Sequence, residues 1–511
     1  MIKMAKVYLI GAGPGDHKLI TLKGMEAIKK AHVVLYDRLA NPKLLKYAKE
    51  DAEIIYVGKA PNNHAYTQDE INELLVEKAK GDKIVARLKG GDPLVFGRGG
   101  EEAKRLFEEN IDFEFVPGVT SAISVPAYAG IPVTHRNVST SFHVITGSED
   151  PTKEEKTVQY EALAKLEGTL IFLMGVKNLS KISTQLIKYG KDKNTPVAVI
   201  MRGSTKEQRM VKGTLENIYD IVIENNIKNP SIIIVGNVTN LSDTLRWFDK
   251  KELFGKKVLV TRTRKQASRL SEKLEGLGAE TVEFPTIEIK RPDDFKEIDK
   301  DMKKMDTYDW IIFTSVNGVN SFFERMKALK MDIRHMGQGK ICAIGPATKD
   351  ALEEKGLIVE YMPDVYRAEA IVELIKDKIK PGEKVLLPRA DIARTVLIEE
   401  LKKLGAQVTN MAIYETIVPD SKREELIDTL QNNNIDIITF TSASTVRNFI
   451  TILGEENKGL LKDSKLAMIG PITADAAKDL GLTCHIEADK YTIDGLVKAI
   501  RNYSEEDGKN A

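Results

Sequence analysis

The sequence predicts an α/β protein in two halves, each half made of two lobes. Short apolar runs alternate with amphipathic helical patterns along the whole chain, which is typical of sheets covered by helices. The second half contains an internal repeat, and 511 residues exceed the ~250–300 at which a single core stops growing. We therefore expect two domains, over residues 1–248 and 249–511.

The composition excludes several classes of function. With 76 basic and 75 acidic residues the net charge is +1, so no global field recruits nucleic acid or an anionic membrane. Cys342 and Cys484 lie far apart in apolar contexts, which indicates buried thiols in a reducing cytoplasm. The seven histidines lack ligand spacing, so we expect no metal site. No apolar run approaches the ~20 residues that span a bilayer, and the N-terminal stretch leads directly into a strand rather than a signal peptide.

The first half begins with a predicted strand over 7–10 and the turn GAGPGD at 11–16. A dinucleotide fingerprint requires glycine where Asp16 stands, and Pro14 disrupts the helix start, so an NAD site is not predicted. The further predicted strands cover 33–36, 54–57 and 113–116, and the predicted helices cover 21–30 and 68–80, the second with a Thr67 and Glu70 capping box. Because open α/β sheets bind ligands at the carboxyl ends of strands, the turns there are candidate contacts.

The segment RLKGGDPLVFGRGGEE at 87–102 is the strongest ligand-binding candidate. It follows the apolar run 84–86 and precedes a helical pattern. Its glycine pairs let a ligand approach the main chain, and Asp92, which precedes a proline, presents its carboxylate at a fixed turn. The alternative is a tight turn that needs glycine only for packing. The Asp-Pro step and the second glycine pair favour ligand contact.

From residue 169 the pattern restarts, with strands predicted over 170–174, 196–201 and 231–235 and the turn RGS at 202–204. We expect a second α/β lobe that faces the first across a cleft. Residues 245–256 are predicted to form a tether that Trp247 and Phe248 anchor.

These motifs carry a resemblance over about residues 4–248. They are GAGPGD at 11–16, YDRL at 36–39, VGK at 57–59, the segment 87–102, PGVTSA at 117–122, GIPVTHR at 130–136 and FLMG at 172–175. Together they resemble the uroporphyrinogen-III C-methyltransferases of the tetrapyrrole methylase class. Other members of the class typically share the GDP turn but lack GRGGEE.

The resemblance implies that S-adenosylmethionine lies in the cleft, in a cage of backbone and apolar groups that suits a sulfonium cation. The implied cofactor contacts are Pro14, Gly90, Gly91, Asp92, Val95, Thr120, Ser121, Met174 and Gly203. From the pattern alone, Met174 at a strand end favours a core residue.

The same resemblance implies carbon methylation of a pyrrole, which requires a proton to be lost from the ring. The implied base is Asp37 and the implied acid is Lys59, with a helix N-cap and a solvated loop cation as the alternatives. The substrate carries eight carboxylates, for which arginines are the strongest partners. The candidates are Arg38, Arg98 and Arg136, each of which can instead form a structural ion pair.

The second half repeats itself. KVLVTR at 257–262 recurs as KVLLPR at 384–389, and DWIIFTS at 309–315 recurs as DIITFTS at 436–442, both 127 residues later. ICAIGPATKDALEEKG at 341–356 recurs as LAMIGPITADAAKDLG at 466–481, 125 residues later. The repeat predicts two similar α/β lobes, with the Phe-Thr-Ser and Ile-Gly-Pro turns placed to bind carboxylates at helix N-termini. The alternative for these turns is helix capping alone.

This arrangement resembles uroporphyrinogen-III synthase, a two-lobed enzyme without a cofactor, over about residues 255–500. The resemblance implies cyclisation of hydroxymethylbilane with inversion of its last ring. The implied proton donor is Tyr414, with a core residue as the alternative. Ser315, Ser442 and Thr473 are the implied carboxylate contacts.

Together the two resemblances imply a bifunctional cytoplasmic enzyme that makes uroporphyrinogen III and methylates it twice to precorrin-2, toward sirohaem and cobalamin. We expect tetrapyrrole substrates, no nucleic-acid or membrane partner, and a homodimer formed through the methyltransferase half. The alternative is another corrinoid methylase fused to a non-catalytic two-lobed binding module.

Overall fold

The structure is a computed structural model and describes residues 6–58, 66–81, 83–148, 158–261, 264–391 and 395–510. It divides into two compact units, one made of Met1–Lys256 with Leu274–Glu280 and the other of Lys257–Lys273 with Thr281–Ala511. The functional division at residue 248 stays a prediction. Within the described ranges, no helix has the length and apolar character needed to cross a membrane.

The first lobe of the first unit is a parallel sheet with helices on both faces. Its elements are β1 (Val7–Gly11), α1 (Leu22–Lys30), β2 (Val33–Tyr36), β3 (Glu53–Tyr56), α2 (Gln68–Lys78), β4 (Val85–Lys89), α3 (Gly99–Glu108), β5 (Phe113–Val116) and α4 (Ser121–Tyr128). The order among the described strands is β3-β2-β4-β1-β5, and every pair is parallel. All five carboxyl ends therefore meet at one edge, where ligands bind in open α/β sheets.

Two local features show how the sequence determines this lobe. The predicted capping box at α2 is present, because Thr67 Oγ1 accepts from the Glu70 N–H and the Glu70 carboxylate accepts from the Thr67 N–H. The central strand β4 continues beyond the apolar run 84–86 as far as Lys89. Arg87 and Lys89 therefore lie inside the sheet, whereas the sequence analysis placed them in the loop.

The second lobe is a mixed sheet. Its elements are β6 (Phe142–Thr146), α5 (Tyr160–Lys165), β7 (Thr169–Leu173), α6 (Leu179–Lys188), β8 (Pro196–Met201), β9 (Arg209–Thr214), α7 (Ile218–Glu224), β10 (Ser231–Val235) and α8 (Ser242–Leu245). The described strands lie in the order β6-β7-β10-β8-β9, with β6 parallel to β7 and the other neighbours antiparallel.

Helix α4 joins the two lobes of this unit. It follows the last strand of the first sheet, yet its Ala122 and Val125 share a core with Ile171 and Ile234 of the second sheet. The predicted anchor also packs on this helix, because the rings of Trp247 and Phe248 lie 5.2 and 4.7 Å from that of Tyr128.

The second unit contains two further sheets. Its strands are β11 (Lys257–Val260), β12 (Glu280–Glu283), β13 (Glu288–Lys290), β14 (Trp310–Phe313), β15 (Lys340–Ala343), β16 (Lys384–Ala390), β17 (Gln407–Ile417), β18 (Ile437–Phe440), β19 (Lys465–Met468) and β20 (Ile486–Glu487). Its helices are α9 (Arg264–Gly276), α10 (Lys296–Met302), α11 (Val316–Ala328), α12 (Pro346–Glu353), α13 (Ala368–Ile375), α14 (Val396–Lys403), α15 (Arg423–Asn432), α16 (Ala443–Leu453), α17 (Pro471–Asp479) and α18 (Ile493–Asn510).

Two lobes are observed in this unit, but each combines strands from both copies of the repeat. The described strands form the orders β12-β11-β18-β19-β20 and β13-β17-β16-β14-β15. Strand β11 of the first copy pairs with β18 of the second, and β14 of the first copy pairs with β16 of the second. The repeat therefore predicts the number of lobes and the strand–helix units within them. It does not predict that each lobe is assembled from strands of both copies.

Candidate active sites

Three glycine turns meet at the carboxyl edge of the first sheet. The Gly13 N–H donates to the Gly91 carbonyl (3.2 Å), and the Gly91 N–H donates to the Gly13 carbonyl (2.7 Å). A Cβ atom on Gly118 would lie 2.4 Å from the Gly91 carbonyl oxygen, so this approach requires glycine. Gly91 itself has φ +70°, and a Cβ atom there would have no neighbour closer than 3.8 Å. The glycines therefore pack the turns together and leave space beside Gly91.

The Asp92 carboxylate links two of these turns. Its Oδ1 accepts from the Leu94 N–H (2.8 Å) and its Oδ2 accepts from the Gly118 N–H (3.0 Å). Asp92 thus fixes the turn geometry, and a ligand would use the remaining lone pairs of its oxygens.

A buried cluster of charges lies beneath this edge. Glu102, in the first turn of α3, is fully buried, and its Oε1 accepts from Lys89 Nζ (2.6 Å) and Arg87 Nε (3.2 Å). Its other oxygen, Oε2, is also buried and has no hydrogen-bond partner among the described residues. Burial and the neighbouring Arg87 charge lower the pKa of Lys89. We call Arg87, Lys89 and Glu102 the buried charge cluster.

The cluster reaches Asp37, the predicted base. Asp37 Oδ2 lies 3.6 Å from a terminal nitrogen of Arg87, and Asp37 Oδ1 accepts from the Leu39 N–H (3.0 Å). No helix starts at Asp37, so its side chain is not the N-cap that the sequence alone favoured. The predicted acid, Lys59, lies outside the described residues.

Loops of the second lobe approach the same edge. The Asp16 N–H donates to Ser204 Oγ (3.3 Å), and the Tyr128 hydroxyl donates to Asp16 Oδ2 (2.9 Å). Burial and the Asp16 charge raise the pKa of Tyr128. The Gln208 side chain supports this link by accepting from the Ser204 N–H (2.9 Å). Asp16 therefore connects the first glycine turn to the second lobe.

Met174 differs from the core residue that its pattern favours. It follows β7 in the left-handed region, with φ 58°, and is 49% exposed. A non-glycine residue with this conformation is uncommon, and such residues cluster at functional sites. Its thioether is thus available to a ligand.

The other predicted cofactor contacts lie around these turns. Thr120 caps α4 by accepting from the Ala122 N–H (3.3 Å), and Ser121 is the first residue of that helix. A Cβ atom on Gly90 would lie 2.4 Å from Leu39 Cβ, and one on Gly203 would lie 2.2 Å from Val125 Cγ1. Packing alone therefore requires glycine at both positions. The remaining contacts are Pro14, half-buried beside Gly13, and Val95, exposed in the loop before α3.

The three predicted substrate arginines are exposed. Arg98 forms a two-pronged pair with Glu101, with Nε to Oε1 at 2.9 Å and the second contact at 2.6 Å. Arg38 and Arg136 form no ion pair with any residue that the structure describes. Both are therefore available to an anion. Arg98 would have to leave Glu101, or contact Glu101 and the anion together, in order to bind one.

In the second unit, Tyr414 and Ser315 are brought together. The Tyr414 hydroxyl shares a hydrogen bond of 3.0 Å with Ser315 Oγ, and the ring lies in the core. Burial raises the pKa of Tyr414, and the Ser315 hydrogen bond partly offsets this effect. Ser315 also caps α11 by accepting from the Gly318 N–H (3.0 Å). Tyr414 is thus a core residue whose hydroxyl lies at a helix N-terminus, and its role as proton donor stays a prediction.

The other two predicted carboxylate contacts lie in the lobe of this unit that contains β18 and β19. Ser442 caps α16 in a reciprocal capping box with Thr445. Thr473 lies in the first turn of α17 and is almost fully buried. The capping alternative thus holds for both serines, whose oxygens retain further acceptor and donor capacity.

Sequence reasoning missed the buried charge cluster. Two basic residues at alternate positions of a central strand point to the same face of a sheet that is covered on both sides. Such burial requires a compensating carboxylate, and Glu102 provides it. Among the described residues, no group of His, Cys, Asp and Glu side chains is arranged to hold a metal ion.

Two family models match the two halves of the chain separately, and one relative spans both halves. The model of the tetrapyrrole (corrin/porphyrin) methylases matches residues 6–219, and that of uroporphyrinogen-III synthase HemD matches residues 268–498. The porphyrin biosynthesis protein HemD of Ruminiclostridium josui is 39% identical over 492 residues, 96% of each chain.

Two further similarities concern the first half. An S-adenosyl-L-methionine-dependent uroporphyrinogen III methyltransferase of Methanosarcina barkeri is 55% identical over 47% of this chain and 94% of its own. A crystal structure of uroporphyrin-III C-methyl transferase from Thermus thermophilus, complexed with S-adenyl homocysteine, is 38% identical. It covers 46% of this chain and 100% of its own, with a TM-score of 0.40.

Proposed function

Because the chain belongs to the tetrapyrrole methylases over its first half and to the uroporphyrinogen-III synthases over its second, we propose that it converts hydroxymethylbilane to precorrin-2. It is a bifunctional enzyme of tetrapyrrole biosynthesis, with uroporphyrinogen-III C-methyltransferase and synthase activities. Residues 249–511 close the ring to uroporphyrinogen III, and residues 1–248 add two methyl groups to it.

The residues at the carboxyl edge of the first sheet fit S-adenosylmethionine. Main-chain groups at Gly90 and Gly91, open space beside Gly91 and the exposed Met174 provide oxygen, thioether and apolar contacts for a sulfonium ligand. Pro14, Asp92, Val95, Thr120, Ser121 and Gly203 complete the proposed cofactor contacts. When bound, this cofactor supplies the activated methyl group.

Asp37 is the base that takes the proton from the methylated pyrrole carbon. The observation that carries this assignment is its contact with Arg87, which holds one carboxylate oxygen at the strand end where the proposed cofactor contacts converge. The Leu39 N–H holds the other carboxylate oxygen and orients the side chain. Lys59 remains the proposed acid.

Substrate carboxylates bind to Arg38, Arg98 and Arg136. Charge-assisted hydrogen bonds from arginine contribute roughly 1.5–3 kcal/mol each, so three of them fix the orientation of the macrocycle. Positioning of donor and acceptor carbon provides much of the rate.

In the second half Tyr414 donates a proton during loss of the substrate hydroxyl. A phenol with the ordinary pKa near ~10 is already neutral at physiological pH, and burial raises the pKa of Tyr414 further. Its hydrogen bond to Ser315 orients the hydroxyl group. Ser315, Ser442 and Thr473 contact substrate carboxylates at helix N-termini. The protein acts in the cytoplasm as a homodimer that forms through the methyltransferase half.

The methyltransferase assignment is tested with uroporphyrinogen III, S-adenosylmethionine and the Asp37→Ala variant. We expect turnover to fall at least about 100-fold, while cofactor affinity in a calorimetric titration changes less than about twofold. Asp51→Ala is the control, because Asp51 is an exposed aspartate of the same lobe. An unchanged turnover in Asp37→Ala would remove Asp37 from the mechanism, and absence of methylation by the wild type would contradict the function.

A further inference from the structure

An exposed tyrosine lies over each Ile-Gly-Pro turn of the second unit. A Cβ atom on Gly345 would lie 3.2 Å from the Tyr366 ring, and one on Gly470 would lie 2.6 Å from the Tyr491 ring. Despite this contact, Tyr366 is 59% exposed and Tyr491 is 66% exposed. We call this pair the covering tyrosines. Each ring shields one glycine and presents its remaining surface to solvent.

The covering tyrosines are equivalent positions of the internal repeat. They are 125 residues apart, which is the spacing of the two Ile-Gly-Pro turns. Their backbones also match, because the Arg367 N–H donates to the Val365 carbonyl (2.8 Å) and the Thr492 N–H donates to the Lys490 carbonyl (2.7 Å). Each tyrosine is therefore the central residue of the same three-residue turn.

The residues beside the covering tyrosines differ between the copies. Val365 corresponds to Lys490, and Arg367 corresponds to Thr492, although all four are exposed like the tyrosines. Core packing does not explain why an exposed ring is kept in both copies. Neither phenolic oxygen has a hydrogen-bond partner among the described residues, so each O–H is an unused donor.

The position and chemistry of these side chains match a carboxylate-bearing pyrrole. A phenol combines an apolar ring face with a hydrogen-bond donor at its tip, so it can pack against a pyrrole ring and donate to that ring's carboxylate. Both turns beneath the rings are predicted from the sequence to bind carboxylates, and the proposed function assigns such a contact to Thr473, which follows the second turn. Two equivalent contacts, one in each lobe, suit a linear substrate whose repeating units all carry carboxylates.

We propose that Tyr366 and Tyr491 are a matched pair of substrate contacts, one in each lobe of the synthase half. Each tyrosine donates a hydrogen bond to a carboxylate of the linear tetrapyrrole and lies against a pyrrole ring. The inference rests on the proposed synthase function and adds to it the residues that hold the two ends of the substrate before ring closure.

The test uses the full chain with Tyr366→Phe, Tyr491→Phe and the double variant. Phenylalanine keeps the ring over the glycine and removes only the hydroxyl, so thermal stability should not change. We expect KM for hydroxymethylbilane to rise about tenfold in each single variant and about 100-fold in the double variant, with kcat within about threefold. Substrate that escapes capture closes without inversion, so the fraction of type I isomer should also rise.

Tyr219→Phe is the matched control, because Tyr219 is an exposed tyrosine on α7 of the other half. Methylation of supplied uroporphyrinogen III by the same preparations checks that each variant is folded. If KM and isomer ratio in the double variant equal those of an active wild type, the tyrosines only shield the glycines and the inference is wrong. If the wild type itself yields only type I isomer, the proposed synthase function fails, and the inference fails with it.

Discussion

Glu102→Gln tests whether the buried charge cluster stabilises the first unit against unfolding. The wild-type carboxylate is fully buried and accepts hydrogen bonds from Lys89 and Arg87, which are themselves almost fully buried. Glutamine has the same shape but no charge. The substitution therefore leaves two buried cations side by side, with Asp37 as the remaining carboxylate near Arg87.

The expected loss in the free energy of unfolding is about 3 kcal/mol. Removing one partner of a buried ion pair costs roughly 3–5 kcal/mol, because the remaining charge is uncompensated. Two effects reduce this cost. The glutamine oxygen still accepts one hydrogen bond, which contributes about 1 kcal/mol, and Lys89 can lose its proton because burial and Arg87 already lower its pKa.

The matched control is the neighbouring residue. Glu101→Gln breaks the exposed pair with Arg98, which should cost only about 0–1 kcal/mol. Hydrogen exchange in increasing urea, read from peptides of β1 and β4, measures the opening free energy of this unit without a contribution from the other. A loss in Glu102→Gln as small as that in Glu101→Gln would refute the reasoning.

Three further variants test the glycine turns, the proposed proton donor and the buried histidine. Gly118→Ala puts a Cβ atom 2.4 Å from the Gly91 carbonyl oxygen, so S-adenosylmethionine affinity in a calorimetric titration should fall at least about tenfold. Gly276→Ala is the control, because its Cβ position has open space and its φ is not in the left-handed region, and it should leave the affinity unchanged. Tyr414→Phe should lower kcat for type III isomer formation about 100-fold. Tyr308 is a similarly buried residue of the same core, and Tyr308→Phe should not lower kcat. Equal rates in the two variants would exclude Tyr414 as proton donor. Burial and the Lys43 charge lower the pKa of His17 to about 4 from 6.5. Between these two pH values the unfolded state therefore binds a proton that the folded state does not. The free energy of unfolding should fall by up to roughly 3 kcal/mol as the pH drops from 6.5 to 4. Urea unfolding of wild type and His17→Asn at pH 7 and 4.5 checks this, and an identical pH dependence in both would contradict it.

Local patterns predicted individual elements well. The strands over 33–36, 113–116, 196–201 and 231–235 are observed with the predicted bounds, because each is a short apolar run between turn residues. Strand β9 was missed because it is an edge strand with charged and half-buried residues, which lack an apolar run.

The sequence alone did not predict which strands pair with each other or which charges meet in the folded protein. The exchange of repeat copies depends on which strand pairs with which, and β11 and β14 carry no local signal for their partners. The extent of β4 was also missed, because a strand that ends in Arg87 and Lys89 is stable inside a sheet only when Glu102 compensates the charges. That carboxylate lies on the following helix, and only the fold brings it to the strand.

The proposed function requires that one chain closes the ring and then methylates it. The most direct measurement supplies the purified chain with hydroxymethylbilane and S-adenosylmethionine, and reads the product mass together with the porphyrin isomer of an oxidised control without cofactor. We expect type III isomer in the control and two added methyl groups in the full reaction. Type I isomer without methylation would contradict it, and a type I control with methylation of supplied uroporphyrinogen III would confine the error to the second half.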